Sequence, residues 1–87
     1  MAVVWIPSMM RELTEGQDRV RASGATVAEV IDALETLHPG VRERLLPRGQ
    51  LPPGVMVTVD GRRALRGLQE RVGEESEVRV LPIMAGG

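Results

Sequence analysis

A single stretch of this sequence carries an apolar stripe long enough for a full helix, and every other element has to be arranged around it. Val27, Val30, Ile31, Leu34 and Leu37 recur at i, i+3, i+4, i+7 and i+10, the spacing of one helical face. Glu29, Asp32, Glu35 and Thr36 take the opposite, wet side. Thr26-Val27-Ala28-Glu29 has the form of a capping box. In such a box the threonine hydroxyl accepts from one free amide and the glutamate reaches back to accept from another. His38-Pro39-Gly40 ends the pattern with residues that cannot continue a helix.

The other apolar runs are short and read as strands or turns. Ala2-Val3-Val4-Trp5-Ile6-Pro7 is β-branched and aromatic with both faces apolar, and Pro7 ends it. Ser8 to Thr14 predicts one or two helical turns with Ser8 as N-cap, closed by Gly16. Gln17 to Ala22 alternates, with Val20 and Ala22 on one face, and suits a strand antiparallel to the first. Ser23-Gly24-Ala25 is a turn. Val41 to Leu46 predicts a short second helix with Val41, Leu45 and Leu46 inward, and the three prolines and two glycines of 47–54 predict a loop. Val55 to Val59 alternates with three valines inward, Asp60-Gly61 is a tight turn, and Arg62-Arg63-Ala64 is a short return strand. Leu65 to Val72 is a compact connection pinned by Leu65, Leu68 and Val72. Glu74, Glu75 and Glu77 read as a solvated acidic turn before the last strand, Glu77 to Pro82, in which Val78 and Val80 face inward and Arg79 and Leu81 outward.

Strands gathered around one helix predict an α+β layer pair, a mixed sheet of four to five strands packed on that helix. The first and last strands are expected side by side as a parallel central pair. That topology is the β-grasp, the fold of ubiquitin.

Composition narrows the chemistry. Eighty-seven residues are enough for one domain with one modest core. A net charge of −1 argues against nucleic acid as the main partner, because such binding needs a basic face. The absence of cysteine removes disulfides, thiol nucleophiles and thiolate metal sites, and a lone histidine beside a proline makes no metal set. All 11 basic residues are arginine. No apolar run approaches the roughly 18 residues of a membrane span, and the start lacks the basic segment of a signal peptide, so a cytoplasmic protein with no membrane partner is expected. No phosphate-binding glycine loop or nucleophile elbow is present. Met9 and Met10 read as satellite core. Arg62, Arg63 and Arg66 are open to two readings, contact with an acidic partner or a plain wet face.

That leaves the tail, Leu81-Pro82-Ile83-Met84-Ala85-Gly86-Gly87. Glycines lack a Cβ and can enter a slot too narrow for other residues, and the end group is a main-chain carboxylate that an enzyme can activate as an acyl-adenylate. The expected division is a folded domain over 1–82 and a flexible tail over 83–87, which by itself reads either as a reactive end or as a frayed polar terminus. Ile83, Met84 and Ala85 carry the glycines beyond the sheet. With Val4 and Ile6 inward, the outward set is Val3, Trp5, Pro7, Arg79 and Leu81, joined by Arg63, a partner surface of apolar centre and arginine rim. Trp5, the one aromatic residue, fits either that face or the core.

These residues carry a resemblance. The β-grasp spacing with terminal Gly86-Gly87 resembles the ubiquitin-like sulfur carriers of the MoaD/ThiS family over essentially the whole chain. Arg11-Glu12-Leu13 is similar to the MoaD branch. Ile6-Pro7 with Arg11, Gly16-Gln17, the helix from Thr26 to Leu37, Glu43-Arg44-Leu45, Val57-Thr58-Val59-Asp60 and Leu81-Pro82 leading to Ala85-Gly86-Gly87 look like the CysO branch. The resemblance implies a carrier rather than an enzyme, with no cofactor of its own. An E1-like adenylyltransferase/sulfurtransferase would adenylate Gly87, with Gly86 giving access, and sulfur would replace AMP to leave a thiocarboxylate. In a CysO-type pathway that sulfur passes to a PLP-dependent cysteine synthase, and a JAMM-type metallopeptidase releases cysteine. Molybdopterin, thiamine or tRNA thiolation, covalent protein modification, and an interaction domain with incidental glycines are the alternatives.

Overall fold

A computed structural model describes residues 1–82 of the chain. At its centre β1 (Ala2–Trp5) and β5 (Glu77–Pro82) run parallel, with Val4 opposite Val78 and Trp5 opposite Arg79. β2 (Arg19–Ala22) pairs antiparallel with β1, and β3 (Val55–Val59) pairs antiparallel with β5. β4 (Arg62–Arg63) completes a five-stranded sheet of order β2-β1-β5-β3-β4. This is the mixed β-grasp sheet with the parallel central pair that the order of elements predicts.

The period-two alternation of the strands divides the sheet into two faces. On the inner face Val20, Val4, Val78 and Val59 line up across four strands, and all four are buried. α1 (Val27–Leu37) covers that row with Val27, Val30, Ile31 and Leu34, each at most 1% exposed. Burying each such side chain contributes about 1.5–3 kcal/mol, so this contact is the main source of stability. Leu37 is the stripe's exception. It stands 55% exposed as the last residue of the helix. Val55 departs likewise from the inward reading and is half-buried at the start of β3.

The capping box forms with a shifted return bond. Thr26 Oγ1 accepts from the Glu29 amide at 3.2 Å, but Glu29 Oε1 accepts from the Ala25 amide at 2.9 Å, one residue before the cap. At the other end the His38 amide donates to the Leu34 carbonyl, and Gly40 turns the chain with φ 102°. The half-buried Glu35 carboxylate accepts from the amides of Arg42 (2.9 Å) and Gly40 (3.1 and 3.2 Å). The Arg42 and then the Gly40 amide hold it below the usual carboxylate range. This bond set joins α1 to α2 (Val41–Leu45), whose Val41 and Leu45, with Leu46, enter the core as predicted.

Three local readings need correction. Ser8–Thr14 is a 3₁₀ helix, and Ser8 does not cap it, because Pro7 holds the N-cap position with no side-chain bond. Met10 is buried, but Met9 is 79% exposed. Leu65, expected to pin the connection before β5, is 88% exposed. Half-buried Leu68 and buried Val72 hold that segment instead, the Val72 amide donating to the Ala25 carbonyl. Among the described residues no helix is long and apolar enough to cross a membrane.

Candidate functional site

Because β5 lies inside the sheet rather than at its edge, its outward residues are flanked on both sides. The pairing registers place Arg19 (β2), Trp5 (β1), Arg79 (β5), Thr58 (β3) and Arg63 (β4) in one row across all five strands. Their side chains share the face turned away from α1, since their neighbours Val4, Val20, Val78, Val57 and Val59 are in the core.

Trp5 is the centre of this row. The Arg79 guanidinium carbon lies 4.4 Å from its ring centroid and that of Arg19 lies 5.2 Å away, both within cation–π range. The indole Nε1 donates to Glu77 Oε1 at 2.9 Å, and the same oxygen accepts from Arg79 at 3.4 Å. Trp5 is half-buried and lies outside the core cluster, so of its two possible placements the structure takes the outer face. Thr58, between Arg79 and Arg63 in the row, is only 8% exposed although it points outward.

Apolar residues border the row. Val3 stands between Arg21 and Glu77, and half-buried Met56 stands opposite Leu81. Pro7 follows β1 and lines an apolar groove with Leu81, Pro82, Met9, Leu45 and Pro52, beside the end of β5. The predicted face residues Trp5, Arg63, Arg79 and Leu81 thus share one side of the sheet, with Pro7 at its rim. Ile83, Met84, Ala85, Gly86 and Gly87 lie outside the described residues.

A polar clasp fixes where β5 begins. Asp60 sits in the tight turn with φ 53°. Its Oδ1 accepts from the Glu77 amide at 2.9 Å and its Oδ2 accepts from the Ser76 hydroxyl at 2.8 Å. Its own amide donates to the Glu77 carbonyl, and Ser76 Oγ accepts from the Gly73 amide. The Glu77 amide, then the Ser76 hydroxyl, hold the Asp60 carboxyl below its ordinary value. A one-residue slip of β5 would turn Arg79 into the core and Val78 out, and this clasp opposes it.

Glu77 opens β5 as the sequence predicts, and it does more than the solvated acid read there with Glu74 and Glu75, because its carboxylate accepts from Trp5 and Arg79. Arg19, Thr58 and Met56 are site neighbours that sequence reasoning did not assemble. The predicted antiparallel pairing of the first two strands was the signal for Arg19, but the register across the intervening turn was needed to use it. Among the described residues no three carboxylates or histidines group to hold a metal. An apolar centre with an arginine rim is chemistry for recognising a surface.

The sequence pattern described as the ThiS family matches residues 4–87. The chain is 37% identical over 89 residues to the sulfur carrier protein CysO of Mycobacterium tuberculosis, covering 97% of this chain and 96% of that protein. It is 35% identical over 65 residues to small archaeal modifier protein 3 of Haloferax volcanii, covering 72% and 71% of the two. In three dimensions it matches a chain of the crystal structure of the Amycolatopsis orientalis BexX/CysO complex with a TM-score of 0.88, 35% identity and full coverage of both chains. The crystal structure of Mycobacterium tuberculosis CysO gives a TM-score of 0.86 at 34% identity, over 97% of this chain and all of that one.

Proposed function

The chain belongs to the ThiS family, and on that premise we propose that it is a sulfur carrier whose Gly87 carboxylate is adenylated and converted to a thiocarboxylate that donates sulfide in cysteine synthesis. The observation that carries this reading is the near full-length likeness to CysO sulfur carriers, in a sequence that follows the central strand β5 with Gly86-Gly87. The chemistry balances in two steps. The Gly87 carboxylate oxygen attacks the α-phosphorus of ATP and displaces pyrophosphate. Hydrosulfide, as the sulfide-level donor, then attacks the acyl-adenylate carbonyl, AMP leaves with the bond to oxygen, and loss of the S–H proton gives the thiocarboxylate.

Catalysis belongs to the partners, and the chain acts stoichiometrically. An E1-like adenylyltransferase/sulfurtransferase supplies the adenylating site, and Gly86 and Gly87 enter it because neither carries a Cβ. Ile83, Met84 and Ala85 span from the sheet to that site. Trp5, Arg63, Arg79, Leu81 and Pro7 form the face on which the enzyme seats. The thiocarboxylate then attacks an aminoacrylate held by a PLP-dependent cysteine synthase. The acyl group migrates from sulfur to nitrogen, and a JAMM-type metallopeptidase hydrolyses the new amide to release cysteine.

The match to a small archaeal modifier protein favours a second reading, in which the activated Gly87 acylates lysines of other proteins. One experiment separates the two. The full chain is expressed with an E1-like enzyme and a sulfur source, and its intact mass is measured. Oxygen-to-sulfur exchange at Gly87 supports the carrier, and lysine adducts on other proteins support the modifier. If Gly87 is never activated, and removing Gly86 and Gly87 alters no sulfur pathway, both readings fail.

A further inference from the structure

We propose that the outer sheet face selects its partner by charge, taking a protein surface on which carboxylates flank an apolar contact, and that Arg19, Arg79 and Arg63 are the residues that read them. The inference rests on the reading of this face as the docking surface and adds the chemistry of what docks there.

The chain has 12 acidic and 11 basic residues. The outer face carries Arg19, Arg21, Arg63 and Arg79 against Asp18 at its edge and two carboxylates within it, Asp60 and Glu77. Both of those are already engaged, Asp60 with Ser76 and the Glu77 amide, Glu77 with Trp5 and Arg79. On the other side of the sheet α1 carries Glu29, Asp32 and Glu35, with Asp32 paired to Arg42 of α2 at 3.3 Å. Asp18 approaches Arg19 at 3.8 Å, but both side chains are more than half exposed, and so loose a pair gives way to a better-placed carboxylate.

The arginines are also held ready. Arg19 and Arg79 flank Trp5 from neighbouring strands, about 9–10 Å apart by the spacing of the sheet. Both guanidiniums rest against the indole, at 5.2 and 4.4 Å, and Arg79 also donates to Glu77 Oε1 at 3.4 Å. Side chains positioned before association lose less freedom on binding, and a guanidinium fork matches a carboxylate in two parallel bonds. A shallow depression lined by Thr58, Asp60, Gly61, Glu77, Arg79 and Leu81 lies beside the row; with Asp60 and Glu77 in its wall it suits an apolar or neutral partner side chain, and the carboxylates fall to the arginines around it. A phosphate backbone fits less well. It carries a charge at every step and needs a continuous basic stripe, whereas in this row Trp5 and Thr58 separate the arginines.

The test uses the full chain with fluorotryptophan in place of Trp5, which gives one fluorine resonance because the chain has one tryptophan. The probe is the E1-like enzyme of the activation experiment. The resonance is expected to move on addition of enzyme. The Kd is expected to rise about tenfold between low and physiological salt, and by a similar factor in Arg19→Glu/Arg63→Glu, with Arg19→Gln intermediate. Leu81→Ala weakens binding with the salt dependence unchanged. If Leu81→Ala weakens binding while charge reversal and salt do nothing, the face docks without reading charge and the inference is overturned. Comparable affinity for a duplex DNA oligonucleotide overturns it too. An enzyme that activates Gly87 without moving the resonance overturns this inference alone, whereas absence of both activation and shift removes the functional reading with it.

Discussion

Two adjacent residues of β5 are expected to separate stability from docking completely. Val78 is fully buried, with Val4 on one side and Val59 on the other. Val78→Ala deletes two methyl-sized groups at about 0.8 kcal/mol each and leaves a cavity that the flanking valines cannot close, for a total of about 2–3 kcal/mol. In a domain of this size that lowers Tm by roughly 10–20 °C. Arg79 is exposed, and its bond to Glu77 and contact with Trp5 are surface interactions. Arg79→Gln keeps part of the stem over the ring and costs about 1 kcal/mol or less. Urea unfolding followed by far-ultraviolet circular dichroism reads both numbers, with an unchanged m-value as the check that only the native state has been altered. Docking to the E1-like enzyme, measured well below each Tm, should show the reverse, with Arg79→Gln weakened and Val78→Ala near wild type. Equal stability losses in the two variants, or a folded Val78→Ala that fails to dock, would refute the assignment of inner and outer faces along β5.

Gly24→Ala should be destabilising by about 1–3 kcal/mol although Gly24 has ordinary φ. A Cβ there would stand 2.6 Å from the Val30 amide nitrogen and 2.8 Å from the Glu29 carbonyl carbon, backbone atoms that no rotamer change can move. An unaltered Tm would mean that the turn between β2 and α1 is looser than described. Thr26→Ala should cost about 1 kcal/mol through loss of the bond to the Glu29 amide, read as a lower urea midpoint. Acid should expose the clasp at the start of β5. The folded Asp60 carboxyl titrates below its ordinary value of 3.8, so its contribution is complete above that pH and is lost as pH falls through the lower folded value. Asp60→Asn, which tolerates the same backbone conformation, should flatten that limb of the stability–pH curve, and an unchanged limb would assign acid sensitivity elsewhere, with Glu35 the next carboxylate to test.

The sequence made the two faces of each element legible, and the way elements meet was harder to read. The α1 stripe is unambiguous because helical periodicity repeats over three turns, yet Leu37, the last residue of the helix, continues the pattern and is exposed, since a period says nothing about where burial ends. Leu65 and Met9 fall in connections with no period, so hydrophobicity alone put them inward and the structure turns them out. Val78 and Arg79 were separable because alternation assigns adjacent residues to opposite faces. The meeting of Arg19, Trp5 and Arg79 was not legible, because it depends on two registers, one of them between strands more than seventy residues apart, as Trp5 and Glu77 also are. Asp60 was visible as a turn residue, but its second role as acceptor for Ser76 and Glu77 required knowing that β5 returns beside that turn.

The parallel pairing of β1 with β5 also governs when the protein can fold during its synthesis. Without β5, β1 and β3 have no common neighbour, and Val4 and Val59 lose the Val78 side chain that joins them. A nascent chain that stops short of Glu77 therefore holds two separate antiparallel strand pairs and the helices but no continuous sheet. Long-range pairing of this kind is slow to nucleate and leaves strand edges open until it is complete. Ribosome-stalled or clipped products that lack the last strand are thus exposed to proteolysis. A complete sheet is one in which β5 is already in place, and the sequence that bears Gly86 and Gly87 follows directly from it.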